Sequence, residues 1–389
     1  MDQQQPAPAR QRSFANPSAG SGALQIARTA GKFAAQPFQP LPASTGPAPY
    51  HLPLDQVVRS AGGALDPNST HLVFHMAGDT GGIRSPEPQQ IVAMQMESDF
   101  DPPAADARPA FFYHLGDVVC YNGEAAQYYP QYYEPYTKYP APIFAIPGNH
   151  DGDPLPGATS LAAFVENFCA ATPTHTAEAG DAARDAMTQP NVYWTLEAPF
   201  VTIVGLYSNV PDGGEIHQDQ AAWFQNELQS APADKALLVA MHHPVYSGDS
   251  HHGGSTHMET ILNAAITASG RTPDAVFAGH VHNYQRFTRR LAGREIPFIV
   301  AGAGGYWHLH YLAKHLGDPI QTPFVLPTRS DLTLESYCDD RHGYLRLEVT
   351  AQTLRGEYFA VPRPQEGWRT PAPRIDTFTL DLQQHRLVR

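Results

Sequence analysis

The chain has 389 residues, 42% of them hydrophobic, and a formal net charge of −13. That is enough apolar material for one large domain or two ordinary ones. It contains no stretch near the ~18 consecutive apolar residues of a membrane helix, and an acidic body argues against a nucleic-acid-binding surface. The acidity is uneven. Residues 1–54 hold four basic residues (Arg10, Arg12, Arg28, Lys32) and one acidic (Asp2), so they carry +3 and the remainder −16. An anionic substrate would then need a local source of positive charge.

In chain order, residues 1–54 come first and are rich in Pro, Gln, Ala, Gly and Ser. This composition buries little apolar surface and predicts a flexible arm, with a catalytic domain over 55–389. The first twenty residues have basic side chains but no apolar h-region, so a cytoplasmic location is expected. From about His71, short apolar runs recur: "HLVFHMAGD", "PAFFYHLGD", "PAPIFAIPGNHD", "KALLVAMHHP", "DAVFAGHVH" and "PFIVAGAGG". Such runs, ended by Gly or Pro, read as buried strands.

Between them lie helical patterns in "SPEPQQIVAMQMESDF", "SLAAFVENFCAA", "HQDQAAWFQNELQSA" and "THMETILNAAITASG". Strands alternating with helices predict an α/β fold. "NVYWTLEAPFVTIVGLYS" and "GYLRLEVTAQTLRGEYFAV" read as hairpins, and the tyrosine-rich "YYPQYYEPYTKYP" as a helix packed on the sheet. The three cysteines, Cys120, Cys169 and Cys338, form no C-x-x-C pair, which excludes a disulfide scaffold and a thiolate zinc site.

Open α/β sheets carry their chemistry just beyond the carboxyl ends of the strands. Five of the six runs place Asp, Asn or His there: Asp79 in "GDTGG", Asp117 in "GDVVCY", Asn149 and His150 in "GNHDGD", His242 in "MHHP", and His280 with His282 in "GHVH". Each alone reads as an ordinary turn; the five in order do not. Oxygen and imidazole donors together suit Fe, Mn or Zn. One carboxylate can bridge two ions, and a pair of ions roughly 3.5–4 Å apart can activate water for in-line displacement. Two such ions would also supply the positive charge that the acidic body lacks.

The order G-D-x-G, G-D, G-N-H-D, H-x-P, G-H-x-H, over about residues 72–305, resembles the calcineurin-like metallophosphoesterases. Gly81, "HHPVYSGDSHHGGSTH" and "GHVHNYQR" are most similar to the purple acid phosphatase branch. The resemblance implies a four-layer α/β/β/α sandwich of two mixed sheets flanked by helices. It implies a first metal on Asp79, Asp117 and His282, and a second on Asn149, His242 and His280, with Asp117 bridging. It implies His150 as the catalytic histidine and His252 as a substrate contact. The implied reaction is hydrolysis of a small phosphorylated substrate, a phosphomonoester by preference, through a metal-bridging hydroxide. A phosphodiester or cyclic nucleotide is the alternative substrate.

A catalytically dead relative that only binds is the non-enzyme alternative. Such relatives tend to lose the catalytic His or a bridging ligand, and this chain keeps His150 and Asp117. A mononuclear iron oxygenase would leave Asn149 and a second Asp unexplained. The departure from the branch lies at Cys120, where its members carry a tyrosine ligand. Either Tyr121 fills the place, or water or a thiolate does, or the first metal has one ligand fewer. Among the other candidates, His243 reads as supporting or exposed, His308 and His310 as pocket rim or, by preference, surface, and Arg286 as half of a structural ion pair rather than a phosphate contact.

Overall fold

Each expected strand run forms a strand, and each expected helical pattern a helix. The structure, a computed structural model, describes residues 27–28 and 40–388 apart from 83, 102–106, 209–213 and 368–369. The first elements are β1 (Ala27–Arg28), β2 (His51–Pro53), α1 (Leu54–Ser60), β3 (His71–Ala77), α2 (Glu87–Ser98), β4 (Phe112–His114) and β5 (Ile143–Ala145). Then come α3 (Asn149–Gly152), α4 (Ala162–Phe168), β6 (Trp194–Ala198), β7 (Val201–Gly205), α5 (Gln218–Ser230), β8 (Ala236–Met241), β9 (Gly254–Ser255) and α6 (Thr256–Ser269). The chain closes with β10 (Ala275–Ala278), β11 (Tyr284–Leu291), β12 (Arg294–Ala301), β13 (Phe324–Leu326), β14 (Arg329–Cys338), β15 (Gly343–Thr350), β16 (Thr353–Ala360), β17 (Arg374–Asp381) and β18 (Arg386–Leu387).

Two mixed sheets result. One runs β13-β14-β11-β12-β10-β8-β7-β6-β2, the other β18-β17-β16-β15-β3-β4-β5. β3, β4 and β5 are parallel, as are β7, β8, β10 and β12. The two expected hairpins, β6–β7 and β15–β16, pair antiparallel.

Side-chain alternation builds the layers. In β8, Leu238 and Ala240 join the core between the sheets, with Phe74, Tyr113 and Trp194. Leu237, Val239 and Met241 point the other way, into the cluster that holds Phe224 and Leu228 of α5 and Leu262 of α6. Val92 and Met96 of α2 belong to the same outer cluster. The α6 start is fixed by Ser255, whose hydroxyl accepts from the Met258 N–H at 3.2 Å. It stops at Gly270, which takes φ of 68°. The tyrosine-rich segment coils against the sheet with Tyr128, Tyr132, Tyr133, Tyr136 and Tyr139 buried.

The boundary expected at residue 54 falls too late. β2 pairs with β6 as the edge of the larger sheet, and Leu52 and Leu54 are buried in the core between the sheets. The alternating apolar residues of "HLPL" outweigh the surrounding prolines, which an edge strand tolerates. Further back, Ala27–Arg28 pairs in parallel with Gly254–Ser255. Among the described residues, no helix is long and apolar enough to cross a membrane. None of the three cysteines is in a disulfide, and all three are buried.

Candidate metal centre

β3, β4 and β5 end at the same rim of the molecule as β8 and β10, so turns from both sheets face each other. Asp79, Asp117 and His280 take φ of 57°, 54° and 67°. This left-handed conformation is uncommon away from glycine and costs roughly 1 kcal/mol or more per residue. Each turn is held by a hydrogen bond across the rim. The His150 N–H donates to Asp117 Oδ1 at 2.8 Å, and the His280 N–H donates to Asp79 Oδ2 at 2.8 Å. The second of these ties one sheet to the other.

Glycines make room. A Cβ at residue 148 would overlap Asp117 Oδ1. One at residue 81 would lie 2.5 Å from Gln131 Oε1 and 3.0 Å from the Cys120 nitrogen, so a side chain there would displace the Gln131 oxygen that accepts the Cys120 N–H.

The remaining donor atoms converge. His242 Nε2 lies 3.3 Å from Asp117 Oδ2 and 3.1 Å from Asn149 Oδ1. The same Asn149 oxygen is 2.9 Å from His280 Nδ1. His282 Nε2 is 3.6 Å from Asp79 Oδ1. One ligand atom each from Asp117, His242 and His280 fall within 4.8 Å of one another.

These atoms fit metal ions. Asp79 Oδ1 is buried and makes no hydrogen bond, which is costly unless a cation faces it. His242 donates its Nδ1 proton to the Leu115 carbonyl at 2.8 Å, so a neutral ring turns a bare Nε2 toward two further acceptors. A proton or a cation resolves that opposition. Burial works to lower the His242 pKa, but Asp117 and Asp79 together push it up to about 10. For Asp117, burial works upward, yet His242 and His150 hold its carboxyl well below the usual carboxylate range. Burial raises Asp79, and the Asp117 charge adds to that against the pull of His242. His282 donates Nδ1 to the His308 carbonyl at 3.0 Å. Burial, with His310 and His252 beside it, keeps it neutral, as a metal ligand must be.

His150 is fixed from the other side. Its Nδ1 donates to the Tyr121 carbonyl at 2.9 Å, and its Nε2 lies 4.0 Å from Asp117 Oδ2. The Tyr121 ring packs edge-on against His150 at 5.8 Å, and its hydroxyl accepts from Tyr306 at 3.3 Å. Tyr306 in turn lies 4.4 Å from the His282 ring. Cys120 is buried, with ligand atoms of Cys120, Asp117 and His150 within 4.8 Å of one another.

His252 borders the centre, 4.8 Å ring to ring from His280. His243 is buried, bonded to Ser208 Oγ at 2.8 Å. His308 is exposed, but His310, expected at the surface, is buried at 7% exposure. Its loop folds back because its backbone N–H donates to the His282 carbonyl at 3.0 Å. Arg286 pairs with Asp376 at 2.6 Å.

Asp151 was not singled out by sequence. Its buried carboxylate accepts the N–H groups of Gly148 (2.8 Å), Val118 (3.1 Å) and Val119 (3.0 Å), clamping the second and third strand-end turns together. The signal was its place as the last residue of "GNHD".

Comparison with known proteins bears on the family and the fold. The calcineurin-like phosphoesterase family profile matches residues 77–284. Purple acid phosphatase 21 of Arabidopsis thaliana is 33% identical over 128 residues, covering 31% of this chain and 28% of that protein. A probable cyclic nucleotide phosphodiesterase of Rhodopseudomonas palustris is 32% identical over 112 residues, covering 26% of this chain and 37% of its own length. The chain thus spans well under half the length of these curated relatives. A purple acid phosphatase from yellow lupin seeds shares the fold, with a TM-score of 0.58 at 17% identity, over 83% of this chain and 55% of that one. The profile match takes in more than half of the chain and every strand-end turn that builds the centre. This chain belongs to the calcineurin-like phosphoesterase family.

Proposed function

We propose that the chain hydrolyses phosphate esters, phosphomonoesters by preference, at a centre of two transition-metal ions. The observation that carries this reading is the position of Asp117. One of its oxygens accepts the His150 N–H, the other faces His242 Nε2 at 3.3 Å, and its charge acts on the buried Asp79, so the carboxylate stands near members of both proposed ligand sets. Asp79, Asp117 and His282 would hold the first ion. Asp117, Asn149, His242 and His280 would hold the second. The O and N donors suit Fe, Mn or Zn. When bound, such ions neutralise phosphoryl charge and lower the pKa of water, so that it attacks in line.

The chain's own groups do the rest. Asn149 contributes an oxygen without adding negative charge. Tyr121 holds His150 by its Nδ1. A charged His150 therefore carries its second proton on Nε2, beside Asp117, from where it can pass to the departing alkoxide. The turns of Asp79, Asp117 and His280 are set by backbone hydrogen bonds before substrate arrives, which limits reorganisation.

The likeness to the Rhodopseudomonas protein favours a second reading, in which the ester is a diester or a cyclic nucleotide. A hydrolysis panel of monoesters, diesters and cyclic nucleotides on metal-analysed protein separates the two. Faster monoester turnover is expected. Turnover of diesters alone selects the second reading, and no turnover by metal-loaded protein overturns both.

A further inference from the structure

Beyond the ligand rings, a row of imidazoles continues across the centre. His252 lies 4.8 Å from His280, His310 lies 4.9 Å from His252, and His282 lies 4.4 Å from His310. His310 is the member that sequence motif and ligand geometry leave without a task. It is 7% exposed. Its backbone is fastened at both ends of the residue, by its N–H to the His282 carbonyl at 3.0 Å and by its carbonyl to Asn283 Nδ2 at 2.9 Å. Its side chain is not fastened in that way: Nδ1 is buried and makes no hydrogen bond.

The group nearest to Nδ1 among its ion-pair partners is Asp249 Oδ2 at 3.8 Å, too far to bond. Asp249 is committed elsewhere. Its Oδ1 accepts the N–H groups of His251 and His252, each at 2.6 Å, and so shapes the loop that brings His252 to the centre. A buried imidazole with an unbonded nitrogen is a poor filler, since an apolar side chain would fill the space without the desolvation cost. Because nothing bonds Nδ1, the neutral ring can carry its single proton on Nε2, the atom left for a ligand.

We propose that His310 is a substrate-contacting residue, whose imidazole N–H donates to a phosphoryl oxygen of the ester held beside His282. The inference rests on the phosphoesterase reading and adds a residue to it. His310 and His252, 4.9 Å apart ring to ring, would then flank the phosphoryl group together. Selectivity for a tetrahedral anion would come from the imidazole N–H donors of this row.

The test uses the metal-loaded full chain, with orthophosphate as the probe in competition with a phosphomonoester. His310→Ala is expected to weaken orthophosphate inhibition and lower kcat/KM by about tenfold or more, as loss of a hydrogen bond to a charged group does. His310→Gln keeps an N–H of similar reach and is expected to recover most of both, and metal content is expected to stay at the wild-type level in each variant. Unchanged orthophosphate inhibition in His310→Ala overturns the inference. So does equal loss in the Ala and Gln variants, or loss of metal in both, which would make the ring mere packing for His282. A wild-type chain that neither hydrolyses the ester nor binds orthophosphate overturns the phosphoesterase reading itself. An active wild type with an insensitive variant overturns only the role of His310.

Discussion

The backbone N–H of His150 donates to Asp117 Oδ1 at 2.8 Å, while the His150 ring stands with Nε2 4.0 Å from the other oxygen of the same carboxylate. One residue thus fixes the Asp117 carboxylate through its backbone and leaves its ring for the role proposed toward substrate. The two functions separate by mutation. His150→Ala retains the backbone bond, so metal content is expected to hold while kcat falls by about 100- to 10,000-fold. Parallel measurement of kcat and bound metal checks this. Loss of metal would make His150 a ligand, and unchanged kcat would remove it from the reaction.

Asp151 is expected to act through the turns that it clamps. Asp151→Asn keeps the shape but replaces one accepting oxygen by a donor, which cannot accept from the backbone N–H groups it faces. Metal affinity is expected to fall by about 10- to 100-fold, as for other partners of ligating residues. Titration of the metal-free protein with zinc, followed calorimetrically, reads this directly. Wild-type affinity in the variant would show that the clamp is dispensable.

What could be read beforehand followed from locality. Asp79, Asp117, Asn149, His242, His280 and His282 each close an apolar run, so the run locates the strand and its end locates the side chain. The partners that aim them were not readable in this way. Asp249 and His310 lie on separate loops, far apart in sequence, and meet only because both pack beside the H-x-H turn. His310 read as a surface or pocket-rim residue because "GGYWHLHY" follows no strand-end motif that would place its side chains. The start of the folded body was hidden by composition: prolines dominate residues 37–53, and the alternation in "HLPL" is too short to stand out against them.

That start is testable. Leu52 and Leu54 are buried in the core between the sheets, and each contributes about 1.5–3 kcal/mol by burial. A chain beginning at residue 40 keeps both and is expected to unfold at a higher temperature than one beginning at residue 55. Thermal unfolding of the two truncations side by side decides it, and equal midpoints would return β2 to the arm.

β2 also predicts a pH effect. His51 bonds Glu227 Oε2 at 2.8 Å and Glu197 Oε1 at 2.8 Å. The Glu227 bond, against the opposing effect of burial, raises its pKa above the ordinary 6.5. A raised folded value gives stability that is fully present below 6.5 and lost as pH rises through the folded pKa. Wild-type stability is therefore expected to decline over that window more than that of His51→Gln. Parallel pH profiles of the two would contradict this.

The resemblance to the purple acid phosphatase branch implies a tyrosine ligand at the position of Cys120, and the Tyr121 hydroxyl is bonded to Tyr306. The iron-loaded protein is accordingly expected to lack a visible phenolate-to-iron band that depends on Tyr121. Absorption spectra of the wild type and Tyr121→Phe give the answer. A strong band lost in that variant would put Tyr121 on the metal.

The most direct test of the dinuclear centre is elemental analysis of the chain alongside its phosphomonoesterase activity, before and after chelation. The expected result is about two transition-metal ions per chain, turnover abolished by removing them, and turnover restored by adding them back. Full turnover by a chain with no bound metal would contradict the account at its centre.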